Sequence, residues 1–358
     1  MRFSSSSACR VLVLLALALS AAGQSGAGAQ ADPGVTAVAS GLTNPRGFAF
    51  DASGRLFVAL AGTTGKSAGV VHIDAGCPAP IVGGLPAYRV VFGGPTGVAD
   101  VAFLDGQLYA LLAGGDIDRG GMPNGLYRVD ASGMVALVAN ISAFIRDHSV
   151  AARPPDFDTD GQPYAMLAMG DAFWVTEGNS DQLLRVGLDG AISRIADLSR
   201  GHPIPTGMAP APNDGAYVAF FTHAPYRDGA SSVVEVAPDG TVTPVWSNLT
   251  LVTALATGPD DGALYALEMA TGIDPNDPSS IAPGTGKIVR QTGPRASEDV
   301  VTGLTLPVAM DFGPDDALYV TSPAFGADQG EGTIMRVDLA AGTPLGARSS
   351  GTPPAVCA

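Results

Sequence analysis

The chain has 358 residues, with 34 acidic and 19 basic side chains and a formal net charge of −15. Nucleic acids and anionic membrane surfaces attract proteins through basic patches, so this charge balance excludes both as expected partners. An acidic surface is compatible with solubility and with cation binding.

The first 31 residues have the pattern of a secretory signal peptide. Arg2 and Arg10 flank the start of the apolar run "VLVLLALALSAA", and the small residues at 29–31 form a cleavage site. We therefore expect cleavage near Ala31 and a secreted or periplasmic product. No later stretch reaches about 18 uninterrupted apolar residues, so no membrane span is expected. The predicted organisation is a signal peptide (1–31), one domain (32–340) and a C-terminal tail (341–358).

The 47 glycines recur in register, because the chain contains six similar units. Each unit has a small-residue strand, a tight Asp/Gly-rich turn, an aromatic-bearing strand, a variable loop and a third strand. The units span residues 44–76, 95–133, 163–190, 205–240, 252–294 and 307–340. Repeats of this length and strand content predict the blades of a six-bladed, all-β propeller of the NHL/TolB-like class.

One aromatic recurs in the second strand of each unit and is expected to pack between neighbouring blades. It occurs at Phe57, Tyr109, Trp174, Tyr217, Tyr265 and Tyr319. The sixth unit ends at its third strand. The segment 35–42 resembles the outer strand at 298–304, so we expect this N-terminal strand to complete the last blade and close the ring.

Two cysteines, Cys77 and Cys357, remain after signal cleavage. An even number of cysteines in an oxidising compartment makes a disulfide plausible. Their expected places, at the same face of neighbouring blades, would let a Cys77–Cys357 bridge lock the ring. Two unpaired thiols are the alternative.

The stretch "AGTTGKSAGV" (61–70) ends like a phosphate-binding P-loop. The first glycine of that motif is missing, since position 60 is Leu60. The following residues are β-branched and favour a strand rather than a helix. We therefore interpret this stretch as a glycine-rich propeller hairpin and expect no nucleotide site.

Function is expected where the loops are long. The long loops follow second strands or connect blades, and these two kinds of loop share one face of a propeller, which we call the long-loop face. They span residues 112–124, 140–162, 221–231, 269–286 and 321–331. We expect a protein or small-molecule ligand to bind here, around the central channel.

The most specific local pattern is "DFDTDG" (156–161), in which Asp156, Asp158 and Asp160 alternate before a glycine. This is the first half of a calcium loop, whose oxygens are hard ligands. The position of the bidentate Glu is occupied by Leu167. The pattern allows calcium or another divalent cation at these three aspartates; a solvated acidic turn is the alternative.

Candidate catalytic residues lie at the same face. Glu177 and Glu268 end second strands near the expected channel mouth, and Asp100 lies on an inner strand. Carboxylates around a channel can hold a metal or act as a general base. Hydrogen bonding to backbone at strand ends is the alternative. His202 and His223 also fall on this face, without the spacing of a zinc site.

The unit order resembles the ScyD/ScyE family of exported NHL-type propellers, and the likeness covers nearly all of the mature chain. The segments that carry it are "GLTNPRGFAF" (41–50), "GGPTGVADVAF" (93–103), "DGQPYAMLAMGDAFWVTEGNSDQLLRV" (160–186), "IPTGMA" (204–209) and "GLTLPVAMDFGPDDALYV" (303–320). The resemblance implies an exported six-bladed propeller. It assigns no catalytic residue.

A second resemblance is local. "FWVTEGNSDQLLRV" (173–186) is similar to a blade of streptogramin-lyase-type propellers, which use a His/Glu set with magnesium, but the matching histidines are not found. Gluconolactonase-type and sugar-dehydrogenase propellers share the architecture. Two functions follow: a monomeric, non-catalytic binding scaffold using the long-loop face, or a metal-dependent lyase or hydrolase using Glu177, Glu268 and a divalent cation.

Overall fold

The computed structural model describes residues 34–89, 94–118, 120–277, 280–339 and 345–346. Within these residues the chain is almost entirely β, with one seven-residue helix. The sheets form the six blades of a β-propeller, as the repeats predicted.

The strands follow the chain from blade to blade. After β1 (Val35–Leu42), the first blade contains β2 (Pro45–Phe50), β3 (Leu56–Leu60), β4 (Gly65–Asp74), β5 (Cys77–Arg89) and the short β6 (Pro95–Thr96). The second blade contains β7 (Val98–Leu104), β8 (Gln107–Leu112), β9 (Gly125–Val129) and β10 (Val135–Asn140). After α1 (Ile141–Asp147), the third contains β11 (Pro163–Met169), β12 (Ala172–Glu177), β13 (Gln182–Gly187) and β14 (Ile192–Asp197).

The remaining blades repeat this order. The fourth contains β15 (Pro205–Pro210), β16 (Ala216–Phe220), β17 (Ser231–Val236) and β18 (Val242–Leu249). The fifth contains β19 (Val252–Thr257), β20 (Leu264–Glu268), β21 (Gly286–Gly293) and β22 (Ala296–Leu304). The sixth contains β23 (Met310–Phe312), β24 (Leu318–Thr321) and β25 (Gly332–Val337). A two-residue strand of the tail, β26 (Leu345–Gly346), adds to β22 in parallel.

The N-terminal strand closes the ring. β1 pairs antiparallel with β25, with Val35 opposite Val337 and Leu42 opposite Gly332. Val35, Ala39 and Leu42 are buried. This confirms that the strand at Val35–Leu42 completes the last blade.

The recurring aromatics pack between blades, as predicted. Phe57 of the first blade meets Phe103 of the second edge to face, with ring centroids 5.1 Å apart. Tyr319 of the sixth blade meets Phe50 of the first at 5.0 Å. Such contacts couple each sheet to the next, so the aromatics serve the scaffold.

The innermost strands of the six blades (β2, β7, β11, β15, β19 and β23) surround the central channel. The five loops expected to be long are so, since the second and third strands are separated by 113–124, 221–230, 269–285 and 322–331 and two blades by 141–162. The loops 61–64 and 178–181, which also follow second strands, are short. The P-loop-like stretch is a hairpin, since β3 ends at Leu60, β4 begins at Gly65, and Leu60 pairs with Gly69 across the antiparallel strands.

One element of the long-loop face escaped prediction. Helix α1 lies in the connection between the second and third blades, where Asn140 caps it by accepting a hydrogen bond from the Ala143 backbone N–H at 2.9 Å. Its sequence signal is an Asn followed by apolar residues at Ile141, Phe144 and Ile145, which is helical spacing.

Some predictions fall outside the described residues. The signal peptide and Cys357 lie there, while Cys77 begins β5. The Cys77–Cys357 disulfide therefore stays a prediction. In the described part of the chain, none of the helical structure is long and apolar enough to cross a membrane.

Candidate binding site in the central channel

The channel encloses a cavity of about 1000 Å³ that opens at the long-loop face. Ligand sites of proteins are commonly of this size, largely apolar and equipped with a few polar groups. Inner strands from all six blades contribute to its wall. Four ionisable side chains of the inner strands line it, namely Arg46, Asp100, Tyr164 and Asp311, and further ones line it outside these strands, namely Tyr88, Arg89, Asp156 and Asp158.

Arg46 follows the first residue of β2 and reaches into the lumen. Its Nη2 donates a hydrogen bond to the Pro95 carbonyl oxygen at 2.5 Å. Among the described residues, no carboxylate lies within ion-pair distance of this guanidinium. Burial within the ring lowers the pKa of Arg46, while its side chain stays partly exposed, toward the lumen. By contrast, Arg89, which also lines the cavity, forms an ion pair with Asp328.

Tyr164 occupies the corresponding place on β11, after the first residue of that strand. Burial raises the pKa of Tyr164 to about 12, an effect opposed by the nearby charge of Arg46. Its hydroxyl is therefore neutral and can donate a hydrogen bond at physiological pH. No described residue forms a hydrogen bond with this hydroxyl. Arg46 and Tyr164 together offer donors to whatever enters the lumen.

Asp100 connects the inner strands of three blades. Its two carboxylate oxygens accept hydrogen bonds from the backbone N–H groups of Met166 and Val101, each at 2.8 Å. The carboxylate rests against β2 at Gly47, where a Cβ would lie 1.8 Å from Asp100 Oδ1, so only glycine fits. Burial, and then the charge of Asp311, raise the pKa of Asp100 to about 7.

Asp311 is the more available carboxylate. It lies on β23, and its side chain is exposed to the lumen rather than to the outer surface of the ring. Its Oδ1 accepts a hydrogen bond from the Phe312 backbone N–H at 2.8 Å. Burial within the ring raises the pKa of Asp311 to about 6, so it exchanges a proton near neutral pH.

The mouth of the channel is apolar and aromatic. Leu251, Met269 and Ala270 form a buried cluster under the long loops. Partly buried apolar side chains from neighbouring loops pack on this cluster. The apolar and aromatic side chains of the mouth that line the cavity are Tyr88, Phe221, Tyr226, Met269, Ile281, Leu306 and Phe325, and Arg89, Asp156 and Asp158 line it as well. A ligand with an apolar portion can therefore bury it here before its polar end reaches the lumen.

Glu177 is held by the loop that follows its strand. The residue is fully buried and accepts hydrogen bonds from the backbone N–H groups of Gln162, Asn179 and Ser180 at 2.6, 3.0 and 2.8 Å. The Ser180 hydroxyl also donates to it. With every oxygen engaged and no place in the cavity wall, this carboxylate acts as an anchor of the loop.

Glu268 has the same position at the end of β20 and a similar environment. It is buried, accepts a hydrogen bond from the Thr250 backbone N–H at 2.8 Å, and lies 3.6 Å from Lys287 Nζ. Burial raises the pKa of Glu268, against the opposing charge of Lys287. The structure does not bring Glu177 and Glu268 together with the lumen groups.

The structure does bring His202 and His223 together, beside the mouth. Their rings stack with centroids 5.7 Å apart, and His223 Nδ1 lies 3.0 Å from the His202 carbonyl oxygen. His202 Nδ1 contacts the buried Asp181 carboxylate at 2.6 Å, and its Nε2 lies 3.1 Å from Asp156. Burial raises the pKa of Asp181 to about 6, opposed by its bond to His202. This cluster ties two connections between blades together.

The three aspartates of the segment 156–161, which we call the acidic loop, contact different partners. Asp156 faces His202, Asp158 accepts the Asp160 backbone N–H at 2.9 Å, and Asp160 pairs with Arg146 at 3.0 Å. Among the described residues, no group of three or more His, Cys, Asp or Glu side chains is placed to hold a metal ion. The calcium prediction therefore rests on the sequence alone.

Sequence reasoning missed Arg46, Tyr164 and Asp311. A sequence signal for Arg46 exists. The innermost segment of each blade, which we call its inner segment, begins at residue 45, 95, 163, 205, 252 or 307, and the residue after this start is its second position. The residues at this position are Arg46, Thr96, Tyr164, Thr206, Thr253 and Val308. Arg46 is the single charged residue among these six, and a charge where the other repeats carry neutral residues indicates a specialised position.

No protein-family model matches the chain, and no curated protein sequence does. Solved structures of similar fold include an oxidoreductase of the glucose dehydrogenase type from Thermus thermophilus, 17% identical, with a TM-score of 0.59, covering 85% of this chain and 99% of that one. The PQQ-bound aldose sugar dehydrogenase of Streptomyces coelicolor is 14% identical, with a TM-score of 0.59 and coverages of 86% and 99%.

A gluconolactonase from Xanthomonas campestris is also similar, at 14% identity, with a TM-score of 0.52 and coverages of 85% and 89%. At these identities the likeness establishes the six-bladed propeller fold and leaves the activity to be argued from the site.

Proposed function

We propose that this protein is an exported, non-catalytic propeller of the ScyD/ScyE type that binds a small organic molecule in its central channel. The observation that carries the proposal is the cavity of about 1000 Å³ behind an apolar mouth, with donors of Arg46 and Tyr164 left without protein partners among the described residues. Export follows from the sequence of residues 1–31.

The positions of the candidate catalytic residues support a binding role. Glu177 is saturated with hydrogen bonds, and Glu268 is engaged by Thr250 and Lys287. His202 is enclosed by two carboxylates. A general base must lie within reach of the substrate, and none of these three side chains lines the cavity, although His202 Nε2 has no hydrogen-bond partner among the described residues.

A hydrolase of the lactonase type is the second candidate, and one observation favours it. Asp311 faces the lumen with a pKa of about 6, which is suited to removing a proton from water at neutral pH. The similar fold of a gluconolactonase is compatible with this role. In that case Asp311, rather than Glu177 and Glu268, is the general base.

The cofactor of the similar aldose sugar dehydrogenase does not fit this lumen. Pyrroloquinoline quinone carries three carboxylates, whereas the cavity here is lined by four aspartates and, among the described residues, by one guanidinium without an ion pair. Each further carboxylate would approach Asp100 or Asp311 without a cation to compensate it. We derive no step through this cofactor.

The test is ligand binding to the purified mature protein, measured by ligand-observed NMR with a mixed library of small acids, amines, amides and sugars. Val308 lines the cavity and holds the same second position of its inner segment as Arg46 and Tyr164, so Val308→Trp should obstruct the channel at their level and abolish binding. The control Ala131→Trp adds a side chain of the same kind in an exposed outer turn and should bind normally. Binding that survives Val308→Trp would place the ligand elsewhere.

The hydrolase alternative is tested on the same preparation with a panel of lactones and aryl esters. The proposal expects no turnover above the rate of the Asp311→Asn variant. Turnover that is present in the unmodified protein and lost in Asp311→Asn would replace the binding role with the hydrolase.

A further inference from the structure

The second residues of the inner segments lie at one level of the lumen, near its entrance, and differ in whether their side chains have hydrogen-bond partners. At the second position of the inner segments, the threonines are already satisfied: Thr96 Oγ1 donates to the Ala113 carbonyl at 3.0 Å, and Thr206 Oγ1 to the Val252 carbonyl at 2.7 Å. Arg46 and Tyr164 at the same level keep donors without partners among the described residues. Recognition at this level therefore falls to two side chains.

We infer that Arg46 and Tyr164 bind the carboxylate group of a small organic acid whose apolar portion occupies the mouth of the channel. This inference rests on the proposed channel-binding function and gives it a ligand class.

The charge on the ligand follows from the surroundings of Arg46. Partial burial of a guanidinium without an ion pair is costly, and an anion beside it offsets that cost. Nη2 of the guanidinium donates to Pro95, and no hydrogen bond to a described residue uses Nε or Nη1, so this planar pair of donors is left for a carboxylate. The Tyr164 hydroxyl adds a neutral donor to the same anion.

A single negative charge is favoured over two. Asp100 and Asp311 lie in the same cavity, and both carry negative charge in part or in full near neutral pH. A doubly charged group, such as a phosphate monoester, would bring a second charge toward these carboxylates without a second free cation. The lumen therefore discriminates between a carboxylate and a phosphate.

The rest of the ligand is defined by the mouth. Phe221, Met269, Ile281, Leu306 and Phe325 line the path from the long-loop face to Arg46. Covering apolar surface of a ligand here is favourable, and aromatic rings offer faces for a flat group. An aryl-alkanoic acid or a medium-chain fatty acid has the required arrangement of one anionic end and one apolar body.

The experiment compares matched pairs of probes by isothermal titration calorimetry: phenylacetate with phenylacetamide, hydrocinnamate with hydrocinnamamide, and octanoate with octanamide. Each pair differs in the charged group alone. The inference expects the acid to bind at least about tenfold more tightly than its amide, as charge-assisted hydrogen bonds imply.

Variants assign this preference to its residues. Arg46→Gln should remove the preference for the acid and leave the affinity for the amide unchanged, and Tyr164→Phe should weaken acid binding by a smaller factor. Arg185→Gln is the matched control, since it removes an exposed arginine that pairs with Asp171 far from the channel. If Arg46→Gln fails to fold, Arg46→Lys replaces it. Lysine keeps the positive charge but lacks the planar pair of donors of the guanidinium, so the affinity for the acid should fall.

The outcomes separate this inference from the proposed function. Equal affinities for acid and amide, both abolished by Val308→Trp, would overturn the carboxylate site and leave channel binding in place. Acid binding that is unchanged in the Arg46 variants would do the same. If neither member of any pair binds and the mixed library also gives no channel ligand, both proposals fail.

Discussion

Replacing the Asp100 carboxylate by the amide of Asp100→Asn should flatten the pH dependence of stability. In the folded protein burial raises the pKa of Asp100 to about 7. In an unfolded chain an aspartate has a pKa of about 3.9. Between these two values the folded state binds the proton more tightly than the unfolded state, so the free energy of unfolding falls as the pH rises.

The size of this effect follows from the two pKa values. Their difference corresponds to about 4 kcal/mol over the full range, of which about 2–3 kcal/mol falls between about pH 5 and about pH 8. This is an upper limit, because the Asp100 side chain keeps some contact with the lumen. Asp181 and Asp311, with raised pKa values of about 6, act in the same direction. They remain in the variant, so the difference from the unmodified protein isolates Asp100.

The assay is urea unfolding of the unmodified protein and the variant across this pH range, with the slope of stability against pH as the readout. The slope is informative even if Asn is less stable at every pH, since its amide cannot accept from both Met166 and Val101 as the carboxylate does. Asp171→Asn, at an exposed ion pair with Arg185, is the control and should keep the slope. An Asp100→Asn variant with the slope of the unmodified protein would refute this account of the lumen.

Four further predictions concern the scaffold and the site. Glu177→Gln should lose about 2–4 kcal/mol of stability in urea unfolding, because the amide N–H₂ of Gln would face buried backbone N–H donors. The exposed control Glu298→Gln should lose less than about 1 kcal/mol, and equal losses in the two variants would contradict the anchoring role of Glu177. Deletion of 35–42 should abolish cooperative unfolding in calorimetry, and a melting temperature like that of the full chain would show that the ring closes without β1. Phenylacetate affinity should rise as the pH falls from about 8 to about 6, because the two lumen carboxylates take up protons; a pH-independent affinity in calorimetry would argue against their proximity to the ligand. Non-reducing peptide mapping of secreted protein should yield a Cys77–Cys357 cross-linked peptide, and two alkylatable thiols would exclude the bridge.

The fold could be predicted because each blade repeats the same local signals. Alternation of small and aromatic residues sets the strands, and Asp/Gly turns set the hairpins, so six copies reinforce one interpretation. The closing strand at Val35–Leu42 was found because it resembles another outer strand. Helix α1 was missed because it interrupts the repeat, although the Asn140 cap and its apolar spacing are local signals.

The site was less predictable, because it depends on which residues meet across the ring. Asp100 was noticed as an inner-strand carboxylate, but its contact with Gly47 and its bond to Met166 come from three different blades. His202 could be placed on the long-loop face, yet its pairing with Asp181 depends on how two loops pack. A short pattern such as the acidic loop indicates only that its residue types could bind a cation. In the folded protein, Asp160 of this loop forms an ion pair with Arg146.

The most direct test of channel binding is a crystal structure of the mature protein with the most tightly bound carboxylate of the matched pairs. The account predicts the carboxylate beside Arg46 and Tyr164, with the apolar body between the side chains of the mouth. A ligand located outside the channel, or on the face opposite the long loops, would contradict it.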